Sequence, residues 1–246
     1  MQVSAAIRSD LAPTGKLRAG LNYSNFLLVG KDPVSGVPRG VAVDLAHELG
    51  RRLGVPVEFV GYDAPGKMAE AAQTGVWDVA FLAAEPARAN EIAFTAAYLE
   101  IDATYLVPSG SALHRPADVD RDGVRISVSS KSAYELFLTR TLQRAQLLRV
   151  DGVEASFQQF VADKLEALAG LRPRLLMDAE RLPGSRVLEG RFTAIQQAIG
   201  TPKGREAGAR YLREFVEDVK ASGLVAKAIE RHRVRGVSVA PKAPVQ

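Results

Sequence analysis

The chain has 246 residues, 47% of them hydrophobic and 24% charged, with 32 basic against 28 acidic side chains and no cysteine. That length suits one large domain or two modest ones and buries enough apolar surface to need no disulfide or metal staple. The missing cysteines exclude thiol catalysis, zinc–cysteine sites and iron–sulfur clusters, and the longest apolar runs, such as Val79–Ala84, fall far short of the roughly 20 residues that span a bilayer.

Met1–Arg8 carries no apolar core of a secretory signal, which leaves a cytosolic chain and an exported, processed one both open. Leu17–Leu21 reads as a strand. Val41, Leu45, Leu49 and Leu53 recur every four residues as one helix stripe, with Gly54 as its C-cap. Val57–Val60 is a second strand. Met68, Ala71 and Ala72 mark a short helix closing near Gly75, and Asp78–Leu82 is a nearly all-apolar third strand. Strands without polar alternation belong to a parallel sheet covered on both faces, so this part reads as βαβαβ with right-handed crossovers.

A second unit follows Tyr105–Gly110. Arg125–Ser129 alternates as a strand. Tyr134, Phe137, Leu138, Thr141 and Leu142 mark one helix, and Phe157, Phe160, Val161, Leu165 and Leu168 another. Phe192–Ile199 is extended. Two closing helices carry Leu212, Phe215, Val216 and Val219, then Leu224, Val225, Ala228 and Ile229, with Ser222-Gly223 as the turn between them. The tail, Val239–Gln246, is Pro-rich and expected to fray. The basic excess is scattered apart from Arg231, His232, Arg233 and Arg235, so it reads as solvated surface and no nucleic acid is expected as partner.

In an open α/β sheet, ligands bind beyond the carboxyl ends of the strands. The loops leaving that edge carry Asn22, Tyr23, Asn25 and Phe26, then Tyr62 and Asp63, then Ala83, Glu85 and Arg88. Aromatics, carboxamides and one guanidinium at one edge form a pocket for a small molecule. Pro86 fits the first turn of a helix, which would put Arg88 among free backbone N–H groups, an arrangement suited to a carboxylate. The rival reading pairs Arg88 with Glu85 or Glu91 on the surface. No pair among His47, His114 and His232 has metal-ligand spacing, so no metal site is expected, and no cofactor fingerprint is present. Trp77 reads as packing.

Three motifs carry a family resemblance: Gly40–Ala46, Gly75–Ala80 and Arg88–Tyr98. In that order and spacing they resemble the polar amino-acid solute-binding proteins of ABC importers (family 3), across essentially the whole chain. Gln197–Gly204 resembles the family's return strand, and Ala221-Ser222-Gly223 its closing signature. The resemblance implies an α/β, two-lobed type II periplasmic-binding-protein fold. Each lobe would be a mixed, mostly parallel sheet flanked by helices, with two hinge strands near Asp102–Leu106 and Phe192–Gln196. Lobe 1 would comprise residues 1–103 plus 195–246, and lobe 2 residues 104–194. It further implies a monomer in the periplasm that captures a small carboxylate-bearing solute in the interlobe cleft and hands it to a membrane permease.

By the same resemblance Arg88 falls on the arginine that grips the ligand carboxylate. Asn22, Asn25 and Phe26 fall in the loop supplying polar and stacking contacts, and Ser130, Lys131 and Ser132 on the helix start of the second lobe. Asp44 and Asp78 match structural positions. Two departures stand out. The run from Asp78 to Arg88 is about two residues shorter than usual, with Leu82-Ala83-Ala84 in place of Ser/Thr. Leu171, followed by Arg172, stands where the family usually places an aspartate for the ligand ammonium, so Glu85 or Glu100 would have to replace it for an ordinary amino acid. The same fold also hosts cyclohexadienyl-dehydratase-like lyases, for which Glu85 and Glu100 are the candidate acids. It hosts effector domains of transcription regulators too, for which the residues before Leu17 are too few to hold a helix-turn-helix.

Overall fold

The structure is a computed structural model and describes residues 3–244. The chain runs α1 (Ala5–Leu11), β1 (Leu17–Asn22), β2 (Gly30–Lys31), β3 (Pro38–Arg39), α2 (Val41–Leu53), β4 (Val57–Tyr62), α3 (Pro65–Glu70), β5 (Val79–Ala83), β6 (Ile92–Phe94) and β7 (Leu99–Val107). It continues through β8 (Arg125–Ser129), α4 (Ala133–Thr141), β9 (Gln146–Val150), α5 (Val153–Ala162), β10 (Ala167–Leu171), α6 (Arg172–Arg181) and β11 (Arg186–Val187). It closes with β12 (Thr193–Pro202), α7 (Glu206–Ala221), α8 (Leu224–Arg231) and β13 (Val237–Val239). Two compact units result: unit 1 takes the chain up to Glu100 and again from Gln196, and unit 2 is Ile101–Ile195.

In unit 1 the strand order is β4–β1–β5–β12, with β6 on β12. β1 is parallel to both β4 and β5, whereas β12 runs antiparallel to β5 and β6. Every residue of β5 is buried, which is why that strand shows no alternation. On one face α2 buries Val41, Leu45, Leu49 and Leu53 completely, and Gly54 ends it in the left-handed region at φ 70°. On the other face Met68, Trp77, Ala80 and Leu82 form one core cluster. Trp77 is fully buried, and its Nε1 donates to the Met68 carbonyl at 3.1 Å, so it packs. The short helix over this face ends at Glu70, leaving Ala71 and Ala72 in turn beyond it.

Unit 2 orders its strands β7–β10–β8–β9, with β11 on β7. β8 is parallel to β9 and β10, and β7 antiparallel to β10. Here the helix expected to run through Leu165 and Leu168 stops at Ala162. Lys164 turns into the left-handed region at φ 49°, and Leu168 joins β10, level with Ser127 on one side and Leu106 on the other. The apolar spacing misled because Phe157, Phe160, Leu165 and Leu168 do fill one cluster, from two elements instead of one. β9 and α6 carry no clear apolar period and were not expected. The tail is ordered as far as β13 at Val237–Val239, and Val245 and Gln246 lie outside the described residues.

Candidate functional site

The carboxyl ends of three parallel strands meet at one edge of unit 1. Asn22 lies level with Tyr62, and the Tyr23 amide donates to the Tyr62 carbonyl at 2.8 Å. β1 and β5 pair with Ala19 beside Val79; continued four residues on, that register sets Tyr23 level with Ala83. Because β1 lies between β4 and β5, the chain reverses its direction of travel across the sheet here, the switch point at which open α/β sheets bind ligands.

Arg88 is the charged centre of this edge. It is 6% exposed, and its Nη1 donates to the Ala83 carbonyl at 2.9 Å. Burial pushes its pKa down to about 10, against the pull of the neighbouring Glu85 carboxylate, so the group stays cationic at neutral pH. Glu85 is itself 8% exposed, and its carbonyl accepts from the Arg88 and Ala89 amides, wrapping the loop into a tight turn. The expected helix start at Pro86 is absent: Pro86 sits in a turn, and Arg88–Asn90 is a single 3-10 turn. No α-helix start therefore flanks Arg88. Arg88 and Glu85 are both buried, so a pairing between them lies inside the loop and not on the surface.

A buried cation costs free energy unless a counter-charge compensates it. A guanidinium carries five N–H donors in a planar fork, so one bond to a carbonyl is compatible with bidentate hold on a carboxylate. Around it, Asn22 spends its Oδ1 on the Ser24 amide and hydroxyl, at 3.1 and 2.6 Å, which shapes the loop. Asn25 is 9% exposed, and its buried Oδ1 has no hydrogen-bond partner among the described residues. Phe26 is exposed. Tyr62 is half-buried against the Met68 cluster, and burial raises its pKa. Asp63 is exposed and paired with Lys67.

Tyr23, which the sequence places at this edge, is half-buried, and burial raises its pKa. Its ring closes on Gly61, where a Cβ would come within 2.7 Å of Cε2, and the Lys31 ammonium stands 4.9 Å from the ring centroid.

The other three expected residues belong to unit 2, at the end of β8. The Ser130 amide donates to the Val150 carbonyl. Lys131 takes the left-handed conformation, φ 56°, and its amide donates to Glu135 Oε2 at 3.1 Å. Ser132 caps α4, its Oγ accepting from the Glu135 amide at 3.2 Å. Glu135 also receives Thr139 and Arg149 on Oε1. This is a well-made helix start whose Ser132 hydroxyl already has a structural task. Leu171 ends β10 and precedes Arg172 in the first turn of α6. Arg172 lies 3.9 Å from Asp102 and donates to the Gly190 carbonyl. No group of three or more His, Cys, Asp or Glu able to hold a metal occurs among the described residues.

The chain is thus a two-unit α/β protein with a buried cation at a strand-edge switch point of unit 1. The family model of bacterial extracellular solute-binding proteins, family 3, matches residues 25–234, and the chain belongs to that family. In structure it is similar to the solute receptor for L-cysteine of Neisseria gonorrhoeae, with a TM-score of 0.76 and 21% identity over 95% of this chain and 96% of that one. It is similar also to an L-arginine-bound amino acid ABC transporter substrate-binding protein from Streptococcus pneumoniae, with TM-score 0.74 and 18% identity over 96% and 100%. A third likeness is to the ancestral amino acid-binding protein AncCDT-1, a precursor of cyclohexadienyl dehydratase, with TM-score 0.74 and 23% identity over 93% and 99%. These likenesses establish the fold, the type II periplasmic-binding architecture. No curated protein sequence matches the chain. No described helix is long and apolar enough to cross a membrane.

Proposed function

We propose that this protein binds a small carboxylate-bearing solute, an amino acid or related organic acid, and delivers it to the permease of an ABC importer from the periplasm. The observation that carries the reading is Arg88: a guanidinium buried at the switch point of unit 1, tethered to the Ala83 carbonyl and still charged at neutral pH. Membership of the solute-binding family supports capture and delivery. Binding, without turnover, is the activity proposed, and the protein acts as a monomer.

The test is calorimetry and thermal shift on ligand-stripped protein, against L-amino acids and matched carboxylates without an α-amino group. A ligand at a hundred times its dissociation constant stabilises by about 2.7 kcal/mol. Arg88→Ala is expected to weaken binding at least a hundredfold, because the carboxylate would lose a charge-assisted fork; Arg88→Lys keeps the charge and recovers part of it. Tight binding to Arg88→Ala would overturn the reading. Ligand recovered chemically altered after incubation would replace the binder with a lyase.

A further inference from the structure

A cavity of about 690 Å³ opens on unit 1 between α2 and α8 and shares no residue with the edge that carries Arg88. Its charged lining is Asp44, Glu48, Arg51 and Arg52 of α2 with Lys227 and Arg231 of α8, four cations against two carboxylates. Residues three and four apart share a helix face, which is how each helix turns its charges into the same groove. Both carboxylates are held twice. Glu48 accepts from Arg51 at 2.8 Å and from Arg52 at 2.7 Å, and Asp44 meets Arg231 at 3.1 Å and His232 at 2.9 Å. One partner of each acid is packed down and the other is not: the Arg52 and His232 side chains are 20% and 19% exposed, those of Arg51 and Arg231 71% and 68%. Arg52 is fixed further by Asp218 and by the Phe215 ring. Arg51 and Arg231 can therefore turn to a ligand without leaving either acid unpaired. Lys227 is exposed and has no ion pair or hydrogen bond among the described residues.

The contact of Arg231 with Asp44 marks one end of the groove, and that of Arg52 with Asp218, one turn before Ser222, marks the other. Lys227 stands one helical turn back from Arg231, and Arg51 lies two turns on from Asp44, about 10 Å along α2. Three adjustable cations thus line one cavity, of the volume that small-molecule sites occupy. A single anion would satisfy one of them, whereas a run of anionic groups satisfies all three. Guanidinium forks match phosphate bidentately, and the lysine adds a point charge. We propose that this groove is a second binding site, for a small polyanion carrying two or more phosphate groups. Free phosphate compounds and clustered phospholipid headgroups share that chemistry. In the sequence only Arg231 stood out, within the basic run that ends at Arg235. Arg233 and Arg235 are exposed but do not line the cavity; its other cations come from α2 and the preceding turn of α8. The site does not depend on Arg88.

The experiment is calorimetric titration with inorganic phosphate, pyrophosphate and tripolyphosphate at low ionic strength. It compares wild type with Lys227→Ala, Arg231→Gln, Arg88→Ala and the double variant Arg233→Gln/Arg235→Gln. Wild type is expected to bind tripolyphosphate about ten or more times tighter than phosphate, with affinity falling as salt is raised. Lys227→Ala and Arg231→Gln should each weaken tripolyphosphate about tenfold, while Arg88→Ala and the double variant stay near wild type. Lys227 is unpaired and Asp44 keeps His232, so both groove variants are expected to fold, with melting temperatures close to wild type. Co-sedimentation with phosphatidylglycerol vesicles, against phosphatidylcholine vesicles, tells the two sources apart. Lys227-dependent binding to the anionic vesicles alone assigns a lipid headgroup, and to tripolyphosphate alone a free phosphate compound. Tripolyphosphate bound equally well by Lys227→Ala, or weakened as much by Arg233→Gln/Arg235→Gln, would reveal diffuse surface charge and overturn the assignment. Loss of polyanion binding in Arg88→Ala, or binding of neither probe by wild type, would overturn it as well.

Discussion

Asp78 and Arg88 are two buried charges flanking the same strand, and their surroundings assign them different work. Asp78 is fully buried just before β5, and its carboxylate accepts from the Arg18 amide, Nε and Nη2 and from Arg205 Nη1, all within 3.0 Å. It joins β1, β5 and the approach to α7. Removing one partner of such a cluster leaves uncompensated buried charge, a loss of about 3–5 kcal/mol. Asp78→Asn is therefore expected to lower the melting temperature by roughly 6–20 °C, with ligand preference unchanged. A change in preference without loss of stability would show Asp78 to belong to the site. The sequence placed both residues correctly along the chain, because strand ends can be read from apolar runs. It could not show that Arg88 is buried or that Pro86 starts a turn instead of a helix, since both depend on how Glu85–Asn90 folds back onto Ala83.

α2 shows how a single element is both readable and constrained from outside itself. Its stripe and its Gly54 cap follow from local spacing. Its start does not: Gly40 adopts φ 130°, and a Cβ there would come within 2.2 Å of the Leu28 carbonyl oxygen, so the loop after Phe26 and the head of the helix can only meet through a glycine. At the far end Glu48 accepts from Arg51 and Arg52, at 2.7–2.8 Å, and Arg52 continues to Asp218 of α7. The Arg51 hydrogen bond is the chief cause that lowers the Glu48 pKa from 4.5 to about 2. A carboxylate depressed in the folded state contributes stability above its unfolded pKa and loses it as pH falls. The contribution is then complete above about pH 4.5 and gone near pH 2. Glu48→Gln should cost about 1 kcal/mol at pH 7 after solvent screening, and its melting curve should converge with wild type near pH 2. A difference that persists there would assign the loss to packing. By contrast, α6 and β9 escaped the sequence reading because each is partly exposed and irregular in its apolar spacing; their placement follows from the sheet they complete, not from their own pattern.

Chain connectivity makes unit 2 an insertion within unit 1. The chain leaves after Glu100 and returns at Gln196, and the Gln196 Nε2 donates to Glu100 Oε1 at 2.8 Å, so unit 1 is closed at its own neck. Unit 2 carries a complete sheet, β7–β10–β8–β9, and a core of its own built on Leu106, Phe157, Phe160, Leu165, Leu168 and Leu175. It also holds a charged network in which Arg174 and Arg181 bridge Glu154 and the buried Asp178. Its ends are held near one another as well, for the Phe192 amide donates to the Ala103 carbonyl at 3.0 Å. A segment with its own core and neighbouring ends is the kind that folds when excised. Residues 101–195 expressed alone are expected to give a cooperative thermal transition by circular dichroism, with Arg174→Ala lowering its midpoint. The complementary chain, with 101–195 replaced by a short Gly/Ser link between Glu100 and Gln196, should likewise melt cooperatively, because the splice spans groups already in hydrogen-bond contact. Such a unit 1 retains Arg88, Asn22 and Asn25 together. If it still binds a carboxylate with weakened affinity, and loses it on Arg88→Ala, then recognition is written into one strand edge. A spliced unit 1 that folds yet binds no carboxylate would move the source of recognition out of that edge.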